Sequence, residues 1–400
     1  MKTILVFGHV PKYAGGKQSS GLANVIWQLA KNMNDAGYPD FKVILAATDI
    51  HDEQTKIGGI DIIGWNRSLI IKIILSNLYF ALYYIFKALK LTLTYNFSFI
   101  NIYFKLLFYH YALKKINPDI VHLHGCTSVS FFEIHKIHKF RVITTIHGIS
   151  GQDPNILGYQ SYRKMEMKMN QLNFHFVGYI SNHLITQWKK YYGEPHWQMI
   201  PILNAYDQSV FYYANQNANT SDDYGKVEIT LSTIASIGER KGQIRVIDAL
   251  KMINNSGFRY ICIGEGSFDQ IQDLLNASVG HINFEHKGYL SPDQIREELK
   301  NIDYMILPSS SEGFGLVYLE SIACGVPVIL PKHLPIAQEP GLLTNENSIL
   351  LEDESPQAIA TVLKKLDKYH FNREKTANTV SKFGWKNIAN EYLHYLKTIQ

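Results

Sequence analysis

Three cysteines in 400 residues leave little room for covalent cross-linking. Cys126, Cys262 and Cys324 are scattered through apolar contexts, with no spacing that suggests a metal site or a redox pair, so free thiols in a reducing compartment are expected. No Asp-x-Asp triplet occurs, so the usual carboxylate grip on a diphosphate-bound cation is absent. The opening Met1–Phe7 runs straight into a glycine turn, without the apolar core and cleavage site of a signal peptide, which predicts a cytoplasmic location. No helix-turn-helix, zinc-finger or aromatic RNA-binding signature appears, which argues against a nucleic-acid partner. The most local absence is of acid. From Ile62 to Pro118 there is no Asp or Glu, against seven Lys/Arg and fourteen aromatic residues.

Net charge is +4 overall, but it is unevenly placed. Residues 1–200 hold 21 Lys+Arg against 11 Asp+Glu, and the remainder 18 against 24. The basic half therefore points to an anionic surface or partner. In the acid-free stretch, the uncharged windows Ile73–Phe86 and Leu91–Phe104 are each 14 residues long. Spanning a bilayer takes about 20. Apolar helices with basic flanks and interfacial Tyr and Phe suit a headgroup layer. A helical hairpin packed on the first domain is the alternative.

Apolar runs alternate with helical patterns along the whole chain, which predicts α/β architecture with two doubly wound, Rossmann-like domains. Expected strands of the first are Ile4–Phe7, Val43–Ala47, Ile120–Leu123, Val142–Ile146, Phe174–Tyr179 and Met199–Ile202. Those of the second are Val227–Ser232, Tyr260–Ile263, Ile282–Glu285, Tyr304–Leu307 and Val326–Leu330. The boundary is expected near residue 206, giving domains 1–205 and 206–386, with a polar junction loop over Ala214 to Lys226. A final helix over 387–400 is expected to pack back on the first domain. Ligands of such domains sit at the carboxyl ends of the strands, here in a cleft between the two.

The richest segment follows Tyr304–Leu307. A Pro/Ser loop leads to Glu312-Gly-Phe-Gly315, then a helix from Leu316 to about Cys324 closed by Gly325. A glycine turn that opens a helix offers free N–H groups and a dipole to an anion. Glu312 lies beside that site, and Glu320 about two turns along. This run, with Gly313, Gly315, Gly325 and Pro327, resembles the donor motif of retaining GT-B glycosyltransferases of family four. The resemblance covers most of the chain, strongly over residues 227–330 and weakly over 50–115. It implies that Glu312 contacts the transferred sugar and Glu320 the nucleotide ribose. It also implies that the amides of Gly313, Phe314, Gly315, Leu316 and Val317 meet sugar and diphosphate.

Other positions carry over in the same way. Glu239-Arg-Lys-Gly242 places Lys241 as the cation on the donor phosphates, with Arg240 as a possible substitute for an arginine that relatives carry further upstream. The turn containing Gly8, Gly15 and Gly16 would let Gly16 approach the diphosphate, although Lys17-Gln-Ser-Ser-Gly21 departs from the family pattern. His147 matches the histidine near the sugar, and His124 a frequent second position. His122, alternating with His124, reads as structural. The segments Ile263–Gly266 and His286–Leu290 would frame the base.

The resemblance thus implies transfer, without a metal or other cofactor, of a sugar from a nucleotide sugar, most often UDP-linked. The acceptor would be a membrane-borne glycan or lipid-linked saccharide of surface polysaccharide synthesis. Configuration would be retained, with the departing phosphate taking the acceptor proton. The expected catalytic residues are Glu312, His147 and Lys241, and the enzyme would be peripheral to an anionic membrane through 62–118. A nucleotide-sugar epimerase of the same fold, a phosphorylase, or a non-catalytic partner protein remain as alternatives.

Overall fold

In a computed structural model, residues 1–18, 20–76, 78–132, 140–154, 156–214, 228–254, 257–280 and 283–398 are described. The expected junction loop over Ala214 to Lys226 lies almost entirely outside them. The chain forms two compact units, residues 1–203 with 385–400, and residues 204–384.

Runs of Val, Ile and Leu that are buried on both faces build parallel strands. In the first unit these are β1 (Lys2–Gly8), β2 (Phe41–Ala47), β3 (Thr55–Ile57), β4 (Ile60–Ile63), β5 (Ile120–His124), β6 (Arg141–Ile146), β7 (Phe176–Tyr179) and β8 (Met199–Pro201). They form one sheet of order β3-β4-β2-β1-β5-β6-β7-β8, parallel except for the β3–β4 pair. The edge hairpin β3–β4 was not expected from sequence, because three- and four-residue strands leave no readable period. The order reverses between β1 and β5, so the loops after these two strands open at a switch point.

The second unit holds β9 (Ile229–Ile234), β10 (Phe258–Ile263), β11 (Asn283–His286), β12 (Tyr304–Ile306), β13 (Val328–Pro331) and β14 (Ser348–Leu351). Their order is β11-β10-β9-β12-β13-β14, all parallel. Here the switch point lies between β9 and β12. The strand expected over Val326–Leu330 starts at Val328, since Gly325 (φ 79°) caps the preceding helix and Pro327 follows it. β14 was not expected, being an edge strand with polar Ser348 and exposed Leu350.

The acid-free segment is helical. It forms helices over Arg67–Ser76, Leu78–Tyr95 and Phe99–Ile116, the last two separated at Asn96, whose φ is 53°. Tyr84 Oη meets His110 Nδ1 at 2.9 Å and ties these two helices together. Glu53 accepts from Tyr111 Oη at 2.6 Å and Lys115 Nζ at 3.1 Å, so one of the seven cations is held within the unit. Among the described residues no single helix is long and apolar enough to cross a membrane. The final helix, Trp385–Thr398, belongs to the first unit, where Tyr392 and Leu393 are fully buried.

Candidate active site

Two loops meet at the switch point of the second unit. One follows β9 and runs through Gly238 to Gly242, where the helix Gln243–Ile253 starts. The other follows β12 and ends at Gly315, where the helix Leu316–Ala323 starts. They are joined by main-chain and side-chain bonds. Ser310 N donates to Arg240 O at 2.9 Å, and Arg240 Nη1 to Ser311 O at 2.6 Å. Arg245 donates to Glu239 O at 2.9 Å and to Pro308 O at 2.8 Å. Gly242 has φ 79°, and a Cβ there would stand 2.6 Å from Pro308 O, so only glycine admits this approach.

Glu312 lies at the join. Its carboxylate is ion-paired with Lys241 Nζ, accepts from Ser309 Oγ at 2.7 Å, and lies 3.6 Å from Arg240 Nη1. The side chains of Glu312 and Lys241 are 9% and 14% exposed, while Arg240 is 51% exposed. Burial lowers the Lys241 pKa, and the adjacent carboxylate pulls in the opposite direction. An anion entering here would meet two cations that one carboxylate already holds in place.

Beside this trio the second loop turns into its helix. Gly315 has φ 91°, and a Cβ there would stand 2.5 Å from the Tyr318 ring. Tyr318 is fully buried and donates from Oη to Leu307 O at 2.7 Å, which fixes the turn against the end of β12. Among the described residues, the N–H groups of Gly313, Phe314, Leu316 and Val317 meet no main-chain acceptor. They form the donor cluster that a helix start leaves unsatisfied. Phe314 is buried, whereas Leu316 and Val317 are part-exposed. Glu320, further along the helix, is part-buried. Burial pushes its carboxyl pKa up to about 7, and Asp207 adds to the rise.

The segments expected to frame a base also meet. Gly264 N donates to Gly288 O at 2.7 Å, and His286 Nε2 lies 2.9 Å from Gly264 O. Thus Arg240, Lys241, Glu312, the Gly313–Val317 amides and Glu320 all stand on one end of one sheet.

The first unit carries its own cluster at the β1/β5 switch point. His124 Nδ1 and His147 Nε2 are 2.9 Å apart. His122 is fully buried, with Nε2 2.8 Å from Thr145 Oγ1 and Nδ1 3.1 Å from Tyr392 Oη, so it serves the core. Burial holds all three imidazoles neutral, with His122 and His147 down to about 3. Gly16 lies in the turn after β1. A Cβ there would fall 1.8 Å from Val10 O. Asp49 holds this turn through Val10 N at 3.3 Å, Lys17 N at 3.4 Å and His9 Nδ1 at 3.5 Å.

Sequence reading missed Arg245, Tyr318, Ser309 and Asp49. Only Arg245 left a local signal, one helical turn beyond Lys241.

Residues 221–382 match the family described as glycosyl transferases group 1. The second unit is a group 1 glycosyltransferase domain. "O-antigen biosynthesis glycosyltransferase WclY" of Escherichia coli is 25% identical over 286 residues, covering 68% of this chain and 77% of that one. Sucrose-phosphate synthase of Thermosynechococcus elongatus superposes with a TM-score of 0.75 at 15% identity, covering 100% of this chain and 99% of that one. Anabaena HepE in complex with UDP-glucose gives a TM-score of 0.66 at 15% identity, with 100% of both chains covered. The two structural likenesses establish the fold, and it is GT-B. The matched residues 221–382 contain every donor-side residue described above except Asp207, which lies in the same unit.

Proposed function

We propose that the protein is a retaining, metal-independent glycosyltransferase that moves a sugar from a nucleotide sugar, UDP-linked by preference, to a membrane-associated glycan or lipid-linked acceptor in surface polysaccharide synthesis. The observation that carries this is the pairing of Lys241, Arg240 and Glu312 beside the unsatisfied amides of Gly313–Val317. Amides and cations take the diphosphate. Glu312, held between Lys241 and Ser309, orients the sugar, and Glu320 accepts from the ribose hydroxyls. His147 adds a neutral imidazole suited to a sugar hydroxyl.

In the reaction, the bond from the anomeric carbon to the phosphate oxygen breaks. The acceptor oxygen bonds to that carbon on the same face, and its proton passes to the departing phosphate. Fixed amides and Lys241 stabilise the charge that develops there, without reorganisation at the moment of reaction. WclY, named for O-antigen biosynthesis, and HepE, solved with UDP-glucose, support the acceptor class and the base. The basic helices over 62–118 carry the enzyme to an anionic membrane in a peripheral position.

The test is a panel of nucleotide sugars, with released nucleoside diphosphate measured with and without excess EDTA. Release from a UDP-sugar that survives chelation is expected, together with an unchanged anomeric configuration in the product by NMR. Activity lost to EDTA and restored by manganese, or an inverted product, would overturn the mechanism. Absence of any nucleotide binding by calorimetry would overturn the function.

A further inference from the structure

We propose that the Leu78–Tyr95 helix is a monotopic membrane element, lying lengthwise in an anionic lipid leaflet on a ridge of exposed Leu and Phe side chains. This rests on the membrane-docking reading above and changes what provides the grip. Apolar insertion dominates, and the lysines act at its edge.

An α-helix advances about 100° per residue. On that basis Leu78, Leu89, Leu82, Leu93 and Phe86 follow one another around a single arc. All five are exposed, Phe86 by 72% and Leu93 by 85%. The opposite arc carries Ala81, Tyr84, Ala88, Leu91 and Tyr95, all buried. Two opposite arcs of the helix are therefore apolar, with Lys87, Lys90 and Thr94 set between them on one flank, yet protein covers only one of the two. An uncovered apolar face of this size marks a place for an apolar partner.

Charge selects lipid as that partner. Tyr83, Lys87 and Lys90 border the ridge, and Lys87 Nζ lies over the Tyr83 ring at 5.4 Å. Amphipathic Tyr and Lys side chains suit the headgroup boundary. The preceding helix adds exposed Ile71 and Leu75 beside exposed Lys72. No acid in 62–118 opposes anionic headgroups. A second copy docked ridge to ridge would instead set like charges together. Eighteen residues give a length of roughly 27 Å, enough to lie along the interface of a leaflet.

The experiment is co-sedimentation with vesicles of phosphatidylcholine and phosphatidylglycerol, at 0.1 M and 1 M NaCl, for wild type, Leu82→Glu/Phe86→Glu and Lys72→Gln/Lys87→Gln/Lys90→Gln. The Debye length falls from about 10 Å to about 3 Å between those salts, so a purely ionic contact lets go. Expected are wild-type binding that persists at 1 M, and a partition coefficient lowered about tenfold by the double Glu variant, since two inserted apolar side chains become charged. The Lys variant should bind more weakly at 0.1 M and match wild type at 1 M. Calorimetric nucleotide binding, a property of the other unit, and the melting temperature verify that both variants are folded. Wild type that binds at 0.1 M but is released fully at 1 M, with the double Glu variant unaffected, overturns the ridge and leaves electrostatic docking standing. Wild type that ignores vesicles at both salts overturns ridge and docking together. A ridge-dependent dimer in light scattering, without vesicle binding, assigns the face to self-association and overturns both as well.

Discussion

Glu320 is placed where its charge costs the free protein something. Burial, then Asp207, raises its pKa from 4.5 to about 7. The unfolded chain loses this proton near pH 4.5, the folded chain only near 7. Between those values the folded state binds more protons, so stability falls as pH rises through the window and stays lowered above it. Glu320→Gln removes that cost. It should stabilise the nucleotide-free protein at pH 8 by roughly 1–3 kcal/mol, toward the low end for a part-buried group, and change little at pH 4. Nucleotide binding should move the opposite way, weakening by about 1–3 kcal/mol as a charge-assisted hydrogen bond to ribose is lost. Thermal melts at the two pH values and calorimetry with UDP read both halves. A variant that melts lower at pH 8, or that binds UDP as wild type does, would remove Glu320 from this role. If ribose hydroxyls donate to the ionised carboxylate, binding near pH 7 should also release protons, visible as a binding enthalpy that depends on the buffer.

At the scale of elements, the glycine turn between β12 and the Leu316–Ala323 helix is the critical piece. Gly315 is left-handed, and its missing Cβ leaves room for the Tyr318 ring that locks the turn to Leu307. Gly315→Ala adds backbone strain and a steric conflict of fixed geometry. It should cost about 1–3 kcal/mol of stability and reduce nucleotide affinity further than Glu320→Gln, because several amides move together. Unchanged affinity in Gly315→Ala would mean that those amides do not hold the phosphates. Much of this element was legible in the sequence. A buried apolar strand, a Pro/Ser loop, paired glycines and an apolar helix follow one another locally, and the pattern of six residues either side predicts them. Arg245 was not legible as a clamp, because its partner Pro308 lies 63 residues away. Nor was the trio around Glu312, whose two cations come from a different loop. Strands β3, β4 and β14 escaped notice because strands of three or four residues carry weak patterning. The Leu78–Tyr95 helix shows a further limit. Its two opposite arcs are both apolar, so the pattern does not reveal which of them is covered.

Over the whole molecule, the chain leaves the first unit at residue 203 and returns at 385. The returning helix Trp385–Thr398 packs on the helix Gly21–Asp35 beside the sheet. It buries Trp385, Ile388, Tyr392, Leu393 and Leu396. Tyr392 also supplies the partner of His122 Nδ1 at 3.1 Å, next to the His124–His147 pair. Losing one large buried side chain costs about 2–5 kcal/mol. Losing five at once costs about 10–25 kcal/mol, comparable to or above the roughly 5–15 kcal/mol by which a domain is stable. Truncation after Gly384 should therefore unfold the first unit while sparing the second, since residues 204–384 keep every strand of their own sheet and their own core. Hydrogen exchange should show β1, β5 and β6 losing protection while β9, β10 and β12 retain theirs. Calorimetry should still detect UDP, and transfer to any acceptor should be abolished. If the truncated protein keeps protection in β1 and β5, the helix is a dispensable cover and the first unit draws its stability from the sheet and its other helices. If UDP binding disappears as well, the donor site depends on more than the second unit, and assignment of donor recognition to Lys241, Glu312 and Glu320 alone fails.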